Sequence, residues 1–491
     1  MKSCLASLLI VVFSGGGAHT EVSPVTAAVN LGDGTQQTDY EALSKEIYAE
    51  LVTFRSIADM PENVKAAAEG VKQQLINGGF PAGDIQIVSP HPELGSVVAR
   101  FRGQARGGGP PTKQPVMLMA HLDVVDALRS DWEFEPFELR EIDGYFYGRG
   151  TDDNKAGVAH IVTNFIRLRD EGYVPDRDLV AVFTADEETS SDSIKYLVRE
   201  RRELVDSVFA INSDAGGGEL FEGAPNIFNV QAAEKIYVTF HVTATNPGGH
   251  SSRPRPDNAI YELTMALARL SEFTFPVDVG EVAGLYFERS SYFMDGLPAV
   301  DMRAVAKQPP DEAAAARLSA GSPYYNAILH TTCVATRLEA GHADNALPQT
   351  AQATVNCRVL PGQKPDDVEV TLREVIGNEQ IEVARVNAPT GSDPSPLTEE
   401  IMNVLEPIVE EMWPGVPVIP TMSTGATDGN YVRNAGIPVY GVSAIFSDPN
   451  DSRAHGKDER VGVKEYYSAQ EFWYRMLKRL SGGANTGSES Y

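Results

Sequence analysis

Four short apolar runs punctuate this chain, and each ends at or just before a loop rich in polar, chemistry-bearing side chains. Residues 115–120 (PVMLMA) lead to His121, and residues 179–184 (LVAVFT) stop just before an acidic cluster. Both read as strands buried on two faces, as in parallel sheets. A third run, residues 207–211 (SVFAI), delivers Asp214, and a fourth, residues 439–445 (VYGVSAI), precedes the loop that carries His455. Open α/β sheets place their sites outside the carboxyl ends of strands, so four strand ends are expected to point at one crevice.

The middle of the chain has a different pattern. Residues 235–244 (KIYVTFHVTA) alternate as a strand and residues 258–270 (NAIYELTMALARL) as an amphipathic helix, followed by a stretch rich in Phe, Ser, Ala and Pro to about residue 325. Two strand-like runs come next, TTCVATRLEA and QATVNCRVL, then a helix over 365–376 and a strand over 380–386. Strand–helix–strand–strand–helix–strand is the split βαβ order, and it predicts a compact second domain inserted into the first. Cys333 and Cys357 lie on the two middle strands and face each other if these form a hairpin around Asn345. A cross-strand disulfide is then open to them, although thiols packed as small core residues are the expectation.

Length and charge narrow the picture. The 491 residues exceed what one core organises and fit two domains. A net charge of −27 argues against nucleic acid and anionic membrane surfaces as partners. No run past residue 20 approaches a membrane span. Lys2, the apolar run at 4–13 and the small residues up to Ala18 read as a secretory signal, which places the mature protein outside the cytoplasm, secreted or periplasmic. Residues 19–38 and 481–491 are small and polar and are expected to be disordered.

The candidate chemistry lies in five motifs: His121 in HLDVV, Asp153 in GRGTDDNKAG, Glu187 and Glu188 in TADEET, Asp214 in NSDAG, and His455 in RAHGKDE. Imidazole and carboxylate ligands without thiolate suit zinc or a neighbouring divalent ion at a catalytic site. A carboxylate can bridge two such ions, and Asp153 is the best placed to do so. Adjacent glutamates in a low-dielectric cleft repel, so a division of labour is expected, one on metal and one handling protons. Asp123, two residues past His121, is a candidate to orient that ring from behind. No Gly-x-Ser-x-Gly elbow appears, and Ser443 sits in GVSAI, which disfavours serine hydrolysis. His91, His160, His241, His330 and His342 fall outside the motifs and are given no role.

The series HLDVV, Trp132 with Pro136 and Phe137, GRGTDDNKAG, TADEET, NSDAG, GGHSS, NALP, NCRVLPG and RAHGKDE resembles the di-zinc aminoacylase, carboxypeptidase S and carnosinase family of metallopeptidases. Residues 345–362 look most similar to its carboxypeptidase S and secreted N-acyl amino acid hydrolase branch. The resemblance implies an α/β fold: a zinc-exopeptidase-like catalytic domain with a mixed sheet flanked by helices, and an inserted α+β, ferredoxin-like lid and dimerisation domain. The expected boundaries are 39–234 and 389–480 for the catalytic domain and 235–388 for the insert. Two zinc ions per subunit are implied, with cobalt or manganese as substitutes. His121, Asp153 and Asp214 would hold one, and Glu188, Asp153 and His455 the other, leaving Glu187 as general base. The peptide after Asp153 is implied to be cis, although Asn154 stands where the family often has a second Asp. Asp126 likewise replaces a common proline.

Three further roles follow from the same resemblance. His250 in GGHSS would polarise the scissile carbonyl, often from a partner subunit; Arg358 and Asn345 would contact the substrate carboxylate, and Thr427 would add a contact at the rim. The implied activity is that of an exopeptidase releasing an amino acid from a peptide C-terminus or a dipeptide, with N-acyl amino acid hydrolysis as the alternative. Small peptides or N-acyl amino acids are the expected partners, together with a second copy of the chain in a homodimer. Phe273, Phe275, Tyr286, Phe287, Tyr292 and Phe293 supply either an acyl-binding wall or plain packing, and the sequence leaves both open. A non-catalytic binding protein would require loss of the base, yet Glu187 is present.

Overall fold

The computed structural model describes residues 38–105, 107–482 and 484–485. The expected signal at 1–18, nearly all of the 19–38 linker and residues 486–491 lie outside these. The start of the expected disordered tail is ordered. The helix Val463–Ser481 ends at Gly482 in the left-handed conformation, and Ala484–Asn485 then pairs with Tyr173–Val174.

The larger sheet is mixed and has ten strands. Its central path runs Ile85–Val88, Ser96–Phe101, Leu179–Thr184, Val116–His121, Phe209–Asn212 and Val439–Gly441, then passes to Ala224–Glu234. Val116–His121 is parallel to both Leu179–Thr184 and Phe209–Asn212, as continuous apolar runs require. Strand alternation divides these side chains between two cores. Val116, Leu118 and Ala120 face one core with the helices Asp39–Thr53, Lys155–Asp170 and Val463–Ser481, whereas Met117 and Met119 face another with Ile194, Leu197 and Val432.

The smaller sheet holds Ile236–Thr245, Thr332–Ala340, Thr350–Val359 and Glu382–Arg385, all antiparallel. Its spatial order in chain numbering is two, three, one, four, the split βαβ arrangement. The helices Ala259–Glu272 and Pro365–Ile376 cover one face and bury Leu263, Leu270 and Leu372 against Val238, Phe240, Val355 and Val359. Asn258 caps the first helix by accepting from Ile260 N and Tyr261 N.

Two expectations need correction here. Cys333 and Cys357 are not thiols: the register sets them directly opposite each other, and they form a disulfide. Closing a loop with a sequence separation of 24 contributes roughly 3 kcal/mol by constraining the unfolded chain. The stretch 235–388 is also not one packing unit. The helices Glu281–Ser290, Gly296–Val305, Glu312–Gly321 and Pro323–Leu329 bury Val282, Phe287, Met302, Leu318 and Leu329 in the larger core, and the first packs against the strand Val418–Ser423.

The two units join at Glu234 and Lys235. Glu234, fully buried, meets Arg433 at 2.6 Å and accepts from Thr427 N and Oγ1. Lys235 donates to the carbonyls of Ala327 and His330 at the end of Pro323–Leu329. Burial, with the nearby Arg358 charge, pulls Lys235 down to about 7.

Candidate active site

Strand ends bring the motif residues together. His121 is the last residue of its strand and 1% exposed, so its ring is fixed from both sides. Nδ1 faces the backbone carbonyl of Asp123 at 2.9 Å, and Nε2 meets Asp153 Oδ1 at 2.8 Å and Asp214 Oδ1 at 3.4 Å. The second oxygen of Asp153 lies 2.9 Å from His455 Nε2, which also meets Glu188 Oε1 at 2.9 Å. Asp153 thus offers one oxygen to each imidazole, the posture a bridging carboxylate needs. The Asp153–Asn154 peptide is cis.

Asp123 stands behind the His121 ring and has a second task. Its main-chain carbonyl lies 2.9 Å and its carboxylate 3.6 Å from Nδ1. The carboxylate also accepts from Glu187 N at 3.1 Å and Glu188 N at 3.0 Å, which fixes the glutamate pair.

Ligand-capable atoms of His121, Asp153 and Glu188 lie within 4.8 Å of one another, as do those of His121, Glu187 and Asp214. Geometry alone therefore admits Glu187 as a ligand too. The electrostatics show what such a cluster lacks. Burial and then the Asp214 charge push Glu187 well above the usual carboxylate range, and burial pushes Asp214 up to about 7. Burial would raise Asp153 as well, but hydrogen bonds from His121 and His455 hold it well below the ordinary range. Hydrogen bonds to Asp153 and Glu188 lift His455 to about 10. So many carboxylates in a buried rim, countered only by two imidazoles, fit bound divalent cations.

One supporting residue was missed from sequence. Glu459, fully buried, accepts from Asp152 N at 2.7 Å, Gly150 N at 2.9 Å and Asp153 N at 3.1 Å, and pairs with Arg149 at 2.5 Å. Arg149 also donates to Gly456 O, beside His455. This clamp ties the Asp153 loop to the His455 loop. Its signal was present in RAHGKDE, where a second acidic residue follows the histidine.

His250, Asn345 and Arg358 lie apart from the rim. His250 is exposed; its Nδ1 lies 2.8 Å from Ser252 Oγ, and among the described residues none of its hydrogen bonds reaches the acidic cluster. Gly249–His250 pairs with Ala346–Leu347, and Ser251 N donates to the carbonyl of Asn345, also exposed, which places Asn345 at its side. Arg358 is half-buried on the open face of the smaller sheet, stacked 4.6 Å over Tyr237, with Asn356 as its hydrogen-bond partner. Thr427 lies by the cluster and is held by Glu234. Of the aromatic residues, Tyr286 lines a cavity of about 810 Å³ that also reaches Asp214, Phe287 is core, and Phe273 and Phe275 flank a separate crevice near Cys333. Tyr292 and Phe293 are exposed.

Comparison with known proteins agrees with this geometry. Residues 117–479 match peptidase family M20/M25/M40. Human N-fatty-acyl-amino acid synthase/hydrolase PM20D1 is 29% identical over 89% of this chain and 87% of that protein. Probable carboxypeptidase S-like 2 of Dictyostelium discoideum is 28% identical over 74% of this chain and 71% of its own length. Among solved structures, the M20 family metallo-carboxypeptidase Sso-CP2 of Sulfolobus solfataricus superposes with a TM-score of 0.64 at 19% identity, covering 89% of this chain and 99% of that one, which speaks for the fold alone. No helix among the described residues is long and apolar enough to cross a membrane. With the family model spanning most of the chain and an acidic, imidazole-bearing rim where its strands end, this chain belongs to peptidase family M20/M25/M40 and is a metal-dependent hydrolase.

Proposed function

We propose that this chain cleaves the amide bond of dipeptides and short peptides and releases the carboxyl-terminal amino acid. The observation that carries the chemistry is Asp153 spanning His121 and His455 with Glu187 beside it. Two zinc ions, or cobalt or manganese in their place, fit this site: His121, Asp153 and Asp214 would hold one, and Glu188, Asp153 and His455 the other. Bound there, they supply a polarised carbonyl and a water of lowered pKa. Glu187, kept off the ligand set by the division of labour with Glu188, takes a proton from the attacking water and returns it to the leaving amine. Arg358 and Asn345 read the substrate carboxylate, Thr427 contacts substrate at the rim, and His250 donates to the carbonyl oxygen as charge develops on it.

Arg358, Asn345 and His250 belong to the smaller unit and stand clear of the rim, so we assign that unit as a lid. The strand Thr332–Ala340 is exposed along one edge of its sheet and is a route to a homodimer in which His250 acts on the partner's site. The disulfide Cys333–Cys357 supports an oxidising, secreted or periplasmic setting.

Hydrolysis of N-acyl amino acids is the second reading, favoured by relatives named N-fatty-acyl-amino acid synthase/hydrolases. The cavity beside Asp214 favours peptides, because the Glu219 carboxylate lines it without a cationic partner among the described residues. A panel of dipeptides and N-acyl amino acids, assayed with zinc, cobalt and manganese and again with chelator, tests the proposal. Chelator-sensitive release of free amino acid from dipeptides is expected, and its absence overturns the proposal.

A further inference from the structure

Resting on the peptidase reading above, the cavity beside Asp214 allows a more specific inference. Its lining is rich in acceptors and lacks cations. Glu219, on the strand Gly217–Phe221 just past Asp214, accepts one hydrogen bond from Asn229 Nδ2 at 2.8 Å and has no Lys, Arg or His ion-pair partner among the described residues. Asn229 and Gln231 also line the cavity, but their amide oxygens, without a hydrogen-bond partner among the described residues, are sealed from solvent, and Gln231 Nε2 donates to Glu234.

Opposite these acceptors stand three tyrosines. Tyr286, Tyr324 and Tyr325 pack edge-on or tilted, with ring centroids 5.7, 6.2 and 6.4 Å apart. Burial first, and the Glu219 charge among the further causes, raise all three above the ordinary phenol range, so the hydroxyls stay neutral.

We propose that this cavity is a subsite for a cationic group on the acyl side of the substrate, an ammonium such as a peptide's free amino terminus, with Glu219 as counter-charge and the three tyrosines as an aromatic wall. An ammonium brings donors and no acceptor, which matches a carboxylate without a cationic partner among the described residues. Aromatic faces attract cations. A hydrocarbon tail would strip water from the Glu219 carboxylate and return no hydrogen bond. An anionic acyl group would meet Glu219 with no cation to offset it. The net charge of −27 also favours the approach of cationic over anionic substrates. Arg358 does not line this cavity, so a dipeptide would be read at two separate ends, its carboxylate by Arg358 and its amine by Glu219.

The test compares glycyl-phenylalanine, N-acetylglycyl-phenylalanine and lauroyl-phenylalanine as substrates of the metal-loaded full chain. Wild type is expected to favour the free amine over its acetylated form by about 10- to 100-fold in kcat/KM, the range of a charge-assisted hydrogen bond. Glu219→Gln, close in shape, should bring that ratio to within about threefold of one. A wild-type ratio near one, a preference for the lauroyl substrate, or equal losses on the first two substrates in Glu219→Gln would overturn the subsite. Calorimetry with a non-cleavable glycyl-phenylalanine analogue, its amide reduced to a secondary amine, separates the two claims without any variant. Hydrolysis without amine discrimination leaves the peptidase reading standing and removes the subsite. No hydrolysis, but binding of the analogue at least about tenfold tighter than its N-acetyl form, removes the peptidase reading and keeps the subsite.

Discussion

The rim of the larger sheet and the open face of the smaller one hold their candidate residues in opposite ways. At the rim, His121, Asp153, Glu188 and His455 already touch, and Asp123 and Glu459 fix the loops that carry them. In the smaller unit, His250 and Asn345, at a two-stranded ladder beside the sheet, and Arg358, on the sheet itself, make local contacts among the described residues, with Ser252, Ser251, Asn356 and Tyr237. The acidic, imidazole-bearing cluster is thus assembled within one unit, whereas the proposed substrate contacts lie on the other. Changes at the rim should therefore affect turnover and metal content, and changes on the smaller sheet should affect selectivity.

The largest effect belongs to the rim. Glu187→Gln removes the proton carrier and should lower kcat by about 10²- to 10⁴-fold, measured on the best substrate at saturating metal. A loss below tenfold would mean that another group carries the proton. On the smaller sheet, Arg358→Ala should cost about 10- to 150-fold in kcat/KM on a free-carboxylate substrate. Masking that carboxylate as an amide should hurt wild type similarly and the variant little further, since both changes remove one interaction. Equal turnover of acid and amide by wild type would remove Arg358 from this role.

The Glu459 clamp should show in metal affinity. Glu459→Gln is expected to weaken metal binding about 10- to 100-fold by titration calorimetry, as supporting contacts to ligands typically do. Unchanged affinity would reduce the clamp to a fold element. The smallest effect concerns the junction. Lys235 is pulled down to about 7 in the folded chain, against 10.5 as its ordinary value. The unfolded chain then binds the extra proton between these values, so this residue makes stability rise with pH from about 7 to 10, by roughly 2–4 kcal/mol. Denaturant titrations should show that rise flattened in Lys235→Met.

Much of the rim was legible because its signals are local. The run at 115–120 became the strand Val116–His121 and the run at 179–184 became Leu179–Thr184, since an apolar stretch too short for a helix has few other places to go. The helix over 365–376 was equally legible, with Pro365 at its first turn. What escaped depended on partners distant in the chain. Glu459 acquires its meaning from backbone donors at 150–153, and no periodicity announces such a contact. The Cys333–Cys357 bond required a register that a bulge between Ala335 and Arg337 shifts farther along the same pair of strands. The helices between Glu281 and Leu329 looked continuous with the insert because sequence order does not reveal which core an amphipathic helix joins.

On the proposed function, His121, Asp153, Glu188, Asp214 and His455 would hold two metal ions, and Glu187 would hold neither. Metal content per chain, measured by elemental analysis on purified wild type, Glu187→Gln and Glu188→Gln after equal dialysis, tests it most directly. Two ions are expected in wild type, two in Glu187→Gln, and a deficit confined to Glu188→Gln. Equal loss from both variants, or a single ion in wild type at saturating zinc, would contradict it.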